Sequence, residues 1–532
     1  MIEVATLTIV FFPLYLLCRW PYFRLSRVGP DTGFYVSNHT IGTGKWRFSK
    51  GWNANYAMCS KFLPDAFFNL IYLTWGHRNY GFAWRILFSV YNYGTAIAVG
   101  FVVYHLTHQS LAGYAGGLIC YSLISTEPRY GIYYESADQF ETLFQTVGLL
   151  IILLDPLSPW AVLTGTGILL LNALVVKLTG LAAAAPFFLG FSIWQPGLIP
   201  FFIFQIFLFV AAYIGLMLAC GQNPIRLIVT EIGHQSYYGE KQDSNLSLLK
   251  GIVKQFIRKL FMIKYQMISS PYIPLLAFIG LIWVIQQPFS SFHFVLGLYF
   301  AGLVLQQFAG FLPMWWYTIP ILPGIALLAA FGVYDIWLIG PAGWLILLIL
   351  ALAWLTTNVI RVWRWDETSL YNYVWQRHLR VGLRHMELCR YAPEMEKIIG
   401  NHTLLVYGDP SPNAALGKSY ALPFQSAMWY LDGMISGWQQ EMHKRMQRNP
   451  PDYIFDMLNG YMCDIQALQE NLSLQYIKVA SWPVESANFI LYKLKSKNTS
   501  LPVNANFQSL KMSKSCRKTE VKNMNFEREK KC

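Results

Sequence analysis

Residues 157–195 read LSPWAVLTGTGILLLNALVVKLTGLAAAAPFFLGFSIWQ. Two apolar runs, 157–175 and 179–195, flank a lone charge, Lys177. A helix needs about 20 apolar residues, with a range of roughly 17–25, to cross the hydrocarbon core of a bilayer. Each run therefore reads as one crossing, and the pair reads as a helical hairpin with a cation at its turn. An ammonium in that place either snorkels to the interface along its own aliphatic stem or binds the phosphate of an anionic lipid. Ionisable groups inside a membrane are functional candidates by default.

Outward from this hairpin the pattern repeats. Further apolar runs occupy 4–20, 82–106, 110–126, 139–154, 197–220, 267–286, 290–309, 316–332 and 336–360, about eleven spans in all. The composition agrees: 55% of the 532 residues are hydrophobic and 13% charged, whereas soluble domains carry about 25% charged residues. Mean hydropathy is +0.35. A soluble enzyme and a disordered chain are both excluded. The 16% of aromatic residues suits a protein with many membrane–water boundaries, where amphipathic rings settle. The first run carries Glu3 and no basic stretch before it, which favours an uncleaved first span over a signal peptide. The 8 cysteines show no C-x-x-C spacing, and Cys18, Cys120 and Cys220 lie in apolar runs, so neither a disulfide framework nor a zinc site is expected. No P-loop, G-x-G-x-x-G, H-E-x-x-H or G-x-S-x-G arrangement stands at a useful position.

The placement of charge carries the most information. The long polar connections, 21–81, 127–138, 221–266 and everything after 361, are all odd-numbered between spans and so share one side of the membrane. The even-numbered turns are short and nearly uncharged: 105–110, 155–156, 194–196, 286–290 and 333–335. Lys177 falls at the fifth connection, on the loaded side. Arg19, Arg24, Arg27, Lys264, Arg361 and Arg364 lie close to span ends and pull that side toward the cytoplasm by the positive-inside bias.

Several residues of the loaded side could carry chemistry. Val28-Gly-Pro-Asp31-Thr-Gly-Phe-Tyr35 is a tight turn just past the first span. It exposes a carboxylate suited to act as general base on a hydroxyl, or simply to cap a turn. Glu127, Glu135 and Asp138 lie at the mouth of the bundle, where acids are costly unless solvated or paired. Asp138 opens the fourth span, where an acid also complements the helix dipole, and it shares a face with Glu135 if that stretch is helical. Arg85 starts the second span with the same two readings as Lys177. Lys250, Lys254 and Arg258 make a basic stripe suited to lipid headgroups. His39 reads as a surface histidine. After Arg361 the composition becomes that of a soluble domain, with strands expected at 403–407, 452–455, 474–479 and 489–494 and helices at 426–446 and 464–471. From Ser496 the tail is polar, Lys-rich and aperiodic, which predicts disorder.

Taken in order, these elements resemble the GT-C fold glycosyltransferases that draw their sugar from a polyprenyl phosphate. That group holds the protein O-mannosyltransferases, the lipid A aminoarabinose transferases and the RgtA/B/C/D-like membrane glycosyltransferases. The resemblance rests on Asp31-Thr-Gly-Phe-Tyr, Pro64-x-x-Phe-Phe68, Arg85-Ile-Leu-Phe-Ser89, Ser125-x-x-Pro128 and the series Gly131, Asp138, Phe140. It continues with Lys177-x-x-Gly180, Tyr317-x-x-Pro-x-x-Pro323, Leu404-Leu-Val-Tyr-Gly408 and Pro451-Asp-Tyr-Ile454. Many relatives have adjacent Asp-Glu in the first loop. Here Thr32 follows Asp31, so a second acid would come from Asp138 or Glu135.

The resemblance implies a multi-pass α-helical membrane domain over 1–362, an extracytoplasmic α/β domain over 363–495 and a basic tail over 496–532. It implies transfer of a sugar from a polyprenyl-phosphate donor to a lipid, glycan or protein hydroxyl. Asp31 would be the base, assisted by Asp138 or Glu135, and Lys177 and Arg85 or a divalent cation would meet the leaving phosphate. The expected partners are membrane lipids, not nucleic acid. The expected location is a plasma membrane, the bacterial inner membrane, with the loaded face outside, since long loops translocate largely regardless of charge. A lipid or solute transporter and a non-enzymatic scaffold are the competing classes. Transporters usually carry inverted repeats and polar sites at mid-membrane, whereas here the polar groups sit at one rim.

Overall fold

The computed structural model describes residues 62–126, 137–219, 270–309, 315–357, 391–407, 411–418, 448–456, 474–484 and 487–497, with isolated positions elsewhere. The expected first span, Asp31, His39, Glu127, Glu135, the basic stripe of 250–258, the helices at 426–446 and 464–471, and the tail after Lys497 lie outside the described residues. The chain divides into two compact units, Met1–Met386 and Glu387–Cys532.

The first unit is helical. In hydrocarbon every backbone N–H and C=O must be satisfied within its own segment, and the apolar runs meet that demand as helices. They are α1 (Phe62–Thr107), α2 (Ser110–Tyr121), α3 (Ala137–Leu154), α4 (Pro159–Val175), α5 (Gly180–Trp194), α6 (Ile199–Ala219), α7 (Tyr272–Gln286), α8 (Ser291–Ala309), α9 (Leu322–Leu338) and α10 (Pro341–Leu355). Four helical segments among the described residues are long and apolar enough to cross a membrane, and six shorter apolar helices accompany them. These fall on ten of the expected spans, with two corrections. The expected turn at 333–335 is helical, and Asp335 lies on α9; the chain reverses at Ile339-Gly340, where Gly340 takes φ +86° and Pro341 starts α10. Proline suits a first helical position, since its missing N–H would have no partner there. The end of the long polar connection 21–81 is helical from Phe62 and continuous with the second span except at Gly76, whose φ of +72° and ψ of 169° break the helix. That conformation is open to glycine at little steric cost.

α9 lies at the centre: 11 of its 17 residues are buried, against 3 of 21 for α6. Phe201, Phe204, Phe207 and Leu218 of α6 stay exposed, which fits a lipid-facing surface, while Ala326, Ala330 and Phe331 of α9 have no exposure. α7 and α9 cross backbone to backbone at Gly280 and Gly332; a Cβ on either would strike a carbonyl oxygen of the other helix. Without a hydrophobic drive between helices in lipid, such close packing of small residues supplies much of the association energy.

The second unit holds a four-stranded sheet of order β1-β2-β4-β3. β1 (Leu404–Tyr407) pairs parallel with β2 (Tyr453–Asp456), and β4 (Ala487–Lys497) runs antiparallel to both β2 and β3 (Leu474–Val484). The four expected strands are present, but the β3–β4 hairpin is longer on both arms. Ser496 and Lys497, expected in the tail, pair with Gln475 and Leu474, because strand pairing extends beyond the apolar residues that signal it. A helix over 391–399 covers the sheet, with Met395 and Ile399 packed on Leu404, Val406, Phe455 and Leu491. At one edge Asp452 caps the start of β1, accepting hydrogen bonds from the Thr403 N–H at 2.8 Å and hydroxyl at 2.9 Å.

Candidate functional site

The charged rim of the first unit is where the sequence places its chemistry. α1 and α3 are separated by α2, so they run in the same direction. Along α1, Arg85, Ser89, Asn92 and Thr95 are all nearly fully buried. Their spacing of four, three and three residues sets them on one face. This polar stripe lies within what the sequence shows as an apolar span. Thr95 and Thr142 share a hydroxyl hydrogen bond of 3.2 Å between α1 and α3. That contact fixes the register, so Asn92 and Gln139, one turn earlier on each helix, lie at the same depth. Among the described residues neither amide of this pair finds a hydrogen-bond partner. Arg85, ten residues before Thr95, stands about 15 Å further toward the charged rim at 1.5 Å per residue. Beside it Phe68, Trp84, Phe88 and Phe140 form an aromatic cluster, with Phe140 5.3 Å from Phe88 and 4.2 Å from Tyr91 between ring centres.

The second part of the site is an acid that the sequence reading passed over. Glu141 is fully buried, in the first turns of α3 and three residues after Asp138. Its Oε1 accepts a hydrogen bond from the Thr179 hydroxyl at 3.2 Å, and its Oε2 accepts one from Gln306 Nε2 at 3.0 Å. Gln306 Oε1 in turn accepts from Gln145 Nε2 at 2.9 Å. One carboxylate thus ties α3 to α8 and to the turn between α4 and α5. Burying a carboxylate costs several kcal/mol unless donors satisfy it, and this network supplies them to both oxygens. The same turn holds Lys177, which is half-buried. Its N–H donates to the Asn172 carbonyl at 3.2 Å, and its carbonyl accepts from the Gly180 N–H at 2.9 Å. A Cβ on Gly180 would lie 2.6 Å from Asn172 Nδ2, so the glycine of Lys177-x-x-Gly180 is required by the fit of α5 against the end of α4.

The rim is completed by the ends of other helices. The Trp354 indole N–H donates to the Ser122 hydroxyl, joining α10 to the π-turn Ser122–Thr126 that ends α2. Tyr272 at the start of α7 meets Thr357 at 3.4 Å. A 3₁₀ turn over Trp315–Ile321 carries most of the Tyr317-x-x-Pro-x-x-Pro323 motif, and its Thr318 is fully buried.

Of the residues expected from sequence, Arg85 and Lys177 lie where buried polar groups collect, and Asp138 lies in the first turn of α3. Asp31 and Glu135 lie outside the described residues. Glu141, Thr179, Gln306 and the stripe of Ser89, Asn92 and Thr95 are additions from the structure. The signal for Glu141 was Gln145 four residues on, the one-turn spacing that puts two polar groups on one helix face. Among the described residues no group of three or more His, Cys, Asp or Glu converges.

No protein-family model matches the sequence. No curated protein matches it either. Solved structures do. ArnT from Cupriavidus metallidurans bound to undecaprenyl phosphate superposes with a TM-score of 0.58 at 13% identity, over 93% of this chain and 99% of that one. The same protein in the apo state gives 0.55 at 12% identity, over 94% and 99%. At this identity the likeness is one of architecture, and it covers most of this chain and nearly all of the other: the protein has the fold of the GT-C glycosyltransferase ArnT.

Proposed function

We propose that the protein is a membrane glycosyltransferase that moves a sugar from a polyprenyl-phosphate donor to a hydroxyl acceptor at the charged rim. The observation that carries this reading is the shared fold with ArnT, which has been crystallised with undecaprenyl phosphate. The buried cation on α1 and the lysine turn between α4 and α5 agree with it, since a leaving phosphate needs fixed positive charge. Preorganised charge of this kind is usually the largest single catalytic contribution.

In this reading the acceptor oxygen attacks the anomeric carbon, and the bond from that carbon to the phosphate oxygen breaks. The bonding pair leaves with the polyprenyl phosphate, and the acceptor proton passes to Asp31, with Asp138 or Glu135 as the second acid of the rim. Arg85 and Lys177 hold the phosphate before and after the bond breaks. Residues 1–362 carry the reaction, the α/β unit lies on the same extracytoplasmic side, and the acceptor is a lipid, glycan or protein hydroxyl.

The test is reconstitution of the full chain with polyprenyl-phosphate sugars, following release of polyprenyl phosphate and labelling of acceptor. Native protein should consume at least one donor, and Asp31→Asn should lose transfer while remaining folded and able to bind undecaprenyl phosphate. Solute or lipid flux with no covalent product would replace this reading with transport. Full transfer by Asp31→Asn would remove that residue from the mechanism.

A further inference from the structure

The Glu141 network has no place in the transfer step. Its carboxylate is fully buried, and both oxygens accept hydrogen bonds from parts of the chain 38 and 165 residues away. A group so enclosed makes a poor general base for an acceptor that must reach it, because none of its surface is exposed. It is well suited to fixing position. Thr179 stands two residues after Lys177 in a four-residue turn, and the backbone of that turn is tied to Asn172 and Gly180. Holding Thr179 against α3 therefore fixes where the Lys177 backbone sits, and Gln306 extends the hold to α8, backed by Gln145. A lysine side chain is a flexible stem carrying a compact charge, and the less its root moves, the less order a bound phosphate must impose on it.

We infer that Glu141 is a positioning residue: through Thr179 it sets the Lys177 turn so that the ammonium meets the phosphate of the lipid donor. The inference deepens the proposed function and rests on it. It separates two roles along one helix. Asp138, in the first turn of α3, belongs to the rim and its chemistry, while Glu141, one turn deeper, serves the binding of the lipid.

Binding of undecaprenyl phosphate to the full chain in nanodiscs tests this, using native protein, Thr179→Val, Thr179→Ser, Glu141→Gln and Lys177→Met. Thr179→Val removes one hydrogen bond to a charged group and should raise Kd about tenfold. Thr179→Ser keeps the hydroxyl and should restore native affinity. Glu141→Gln, which keeps the shape without the charge, should weaken binding as well. Against a Lys177→Met background, Thr179→Val should add no further loss, because its effect runs through the missing ammonium. A general loss of folding would not spare the serine variant or vanish in that background. Equal affinity for native and Thr179→Val, with Lys177→Met weakened, overturns the inference and leaves the donor reading standing. Additive losses overturn it too, by placing Thr179 elsewhere in the binding chain. Absence of binding by the native chain overturns the donor reading and this inference with it.

Discussion

Gly280→Ala adds one methyl at the crossing of α7 and α9. The new Cβ would land on the Leu328 carbonyl oxygen, with Gly332 N 2.7 Å away and Leu328 C 2.9 Å away. These are backbone atoms of a helix and cannot swing aside. Non-bonded carbon contacts are optimal at about 3.5–4.0 Å, so the helices must part by more than about 1 Å, and a gap of about 0.5–1 Å already forfeits a quarter to a half of each dispersion well. Ile273, Leu276 and Trp283 are the other buried residues of α7. With tens of contacts per buried side chain at about 0.1–0.2 kcal/mol each, and about half of them directed at α9, the loss comes to roughly 3 kcal/mol. Overpacking substitutions in well-packed cores cost about 1–3 kcal/mol. Replacing a helical glycine with alanine returns at most about 1 kcal/mol, which leaves a net destabilisation near 2 kcal/mol. Gly215→Ala and Gly297→Ala are internal controls, since nothing lies within 4 Å of a Cβ at either position. Both should be neutral or stabilising by about 0.5–1 kcal/mol. Reversible unfolding in mixed micelles, titrated with SDS, measures all three. If Gly280→Ala unfolds at the same SDS fraction as the two controls, α7 and α9 do not cross backbone to backbone at Gly280.

Two further outcomes are expected. Burial pushes the Asp452 carboxyl up, but the Thr403 N–H, the Thr403 hydroxyl and His402 outweigh it, so its pKa lies below the usual value. A depressed carboxylate stabilises the fold above its unfolded pKa of about 3.9 and loses that contribution as pH falls through the folded value. Native protein should therefore protect the amides of β1 and β2 from hydrogen exchange better than Asp452→Asn at pH 7. The difference should be small, because the pair is largely solvent-exposed, and it should close as pH falls below about 4; a gap of unchanged size at pH 2.5 would contradict the assignment. Cysteines placed at Asp155 and Lys177 flank α4, whose 17 residues rise about 25 Å. An impermeant maleimide should reach them from opposite sides of sealed vesicles, with position 31 labelling from the Lys177 side, and any other pattern breaks the one-sided rim.

Much of the architecture was legible because membrane spans announce themselves locally. The hairpin around Lys177 needs only apolar length and one charge, and α4 and α5 follow. Where the reading slipped, a polar residue was weighed more than backbone geometry. Asp335 suggested a turn, yet one acid is tolerated on a helix end, and the true reversal belongs to Gly340-Pro341, whose dihedral demands are sharper. Likewise β4 runs on through Lys495, Ser496 and Lys497, because a hairpin partner satisfies backbone groups whatever side chains they carry. The site was less legible. Arg85 and Lys177 stand out as charges near span ends, but Glu141 derives its meaning from Thr179 and Gln306, which are distant in sequence. The buried stripe of Ser89, Asn92 and Thr95 is invisible to hydropathy, because small polar residues scarcely lower an apolar average.

The turns at the uncharged rim are short. Two residues join α1 to α2, four join α3 to α4, and two join α9 to α10. Helices stitched together so tightly at one end behave as the legs of a pair of compasses: they can spread only at their free tips. On the proposed function, a bulky isoprenoid carrier would be admitted by splaying at the mouth, while the pivots stay closed. Substitutions in those distant pivots would then change how fast the carrier comes and goes without touching any group that meets it.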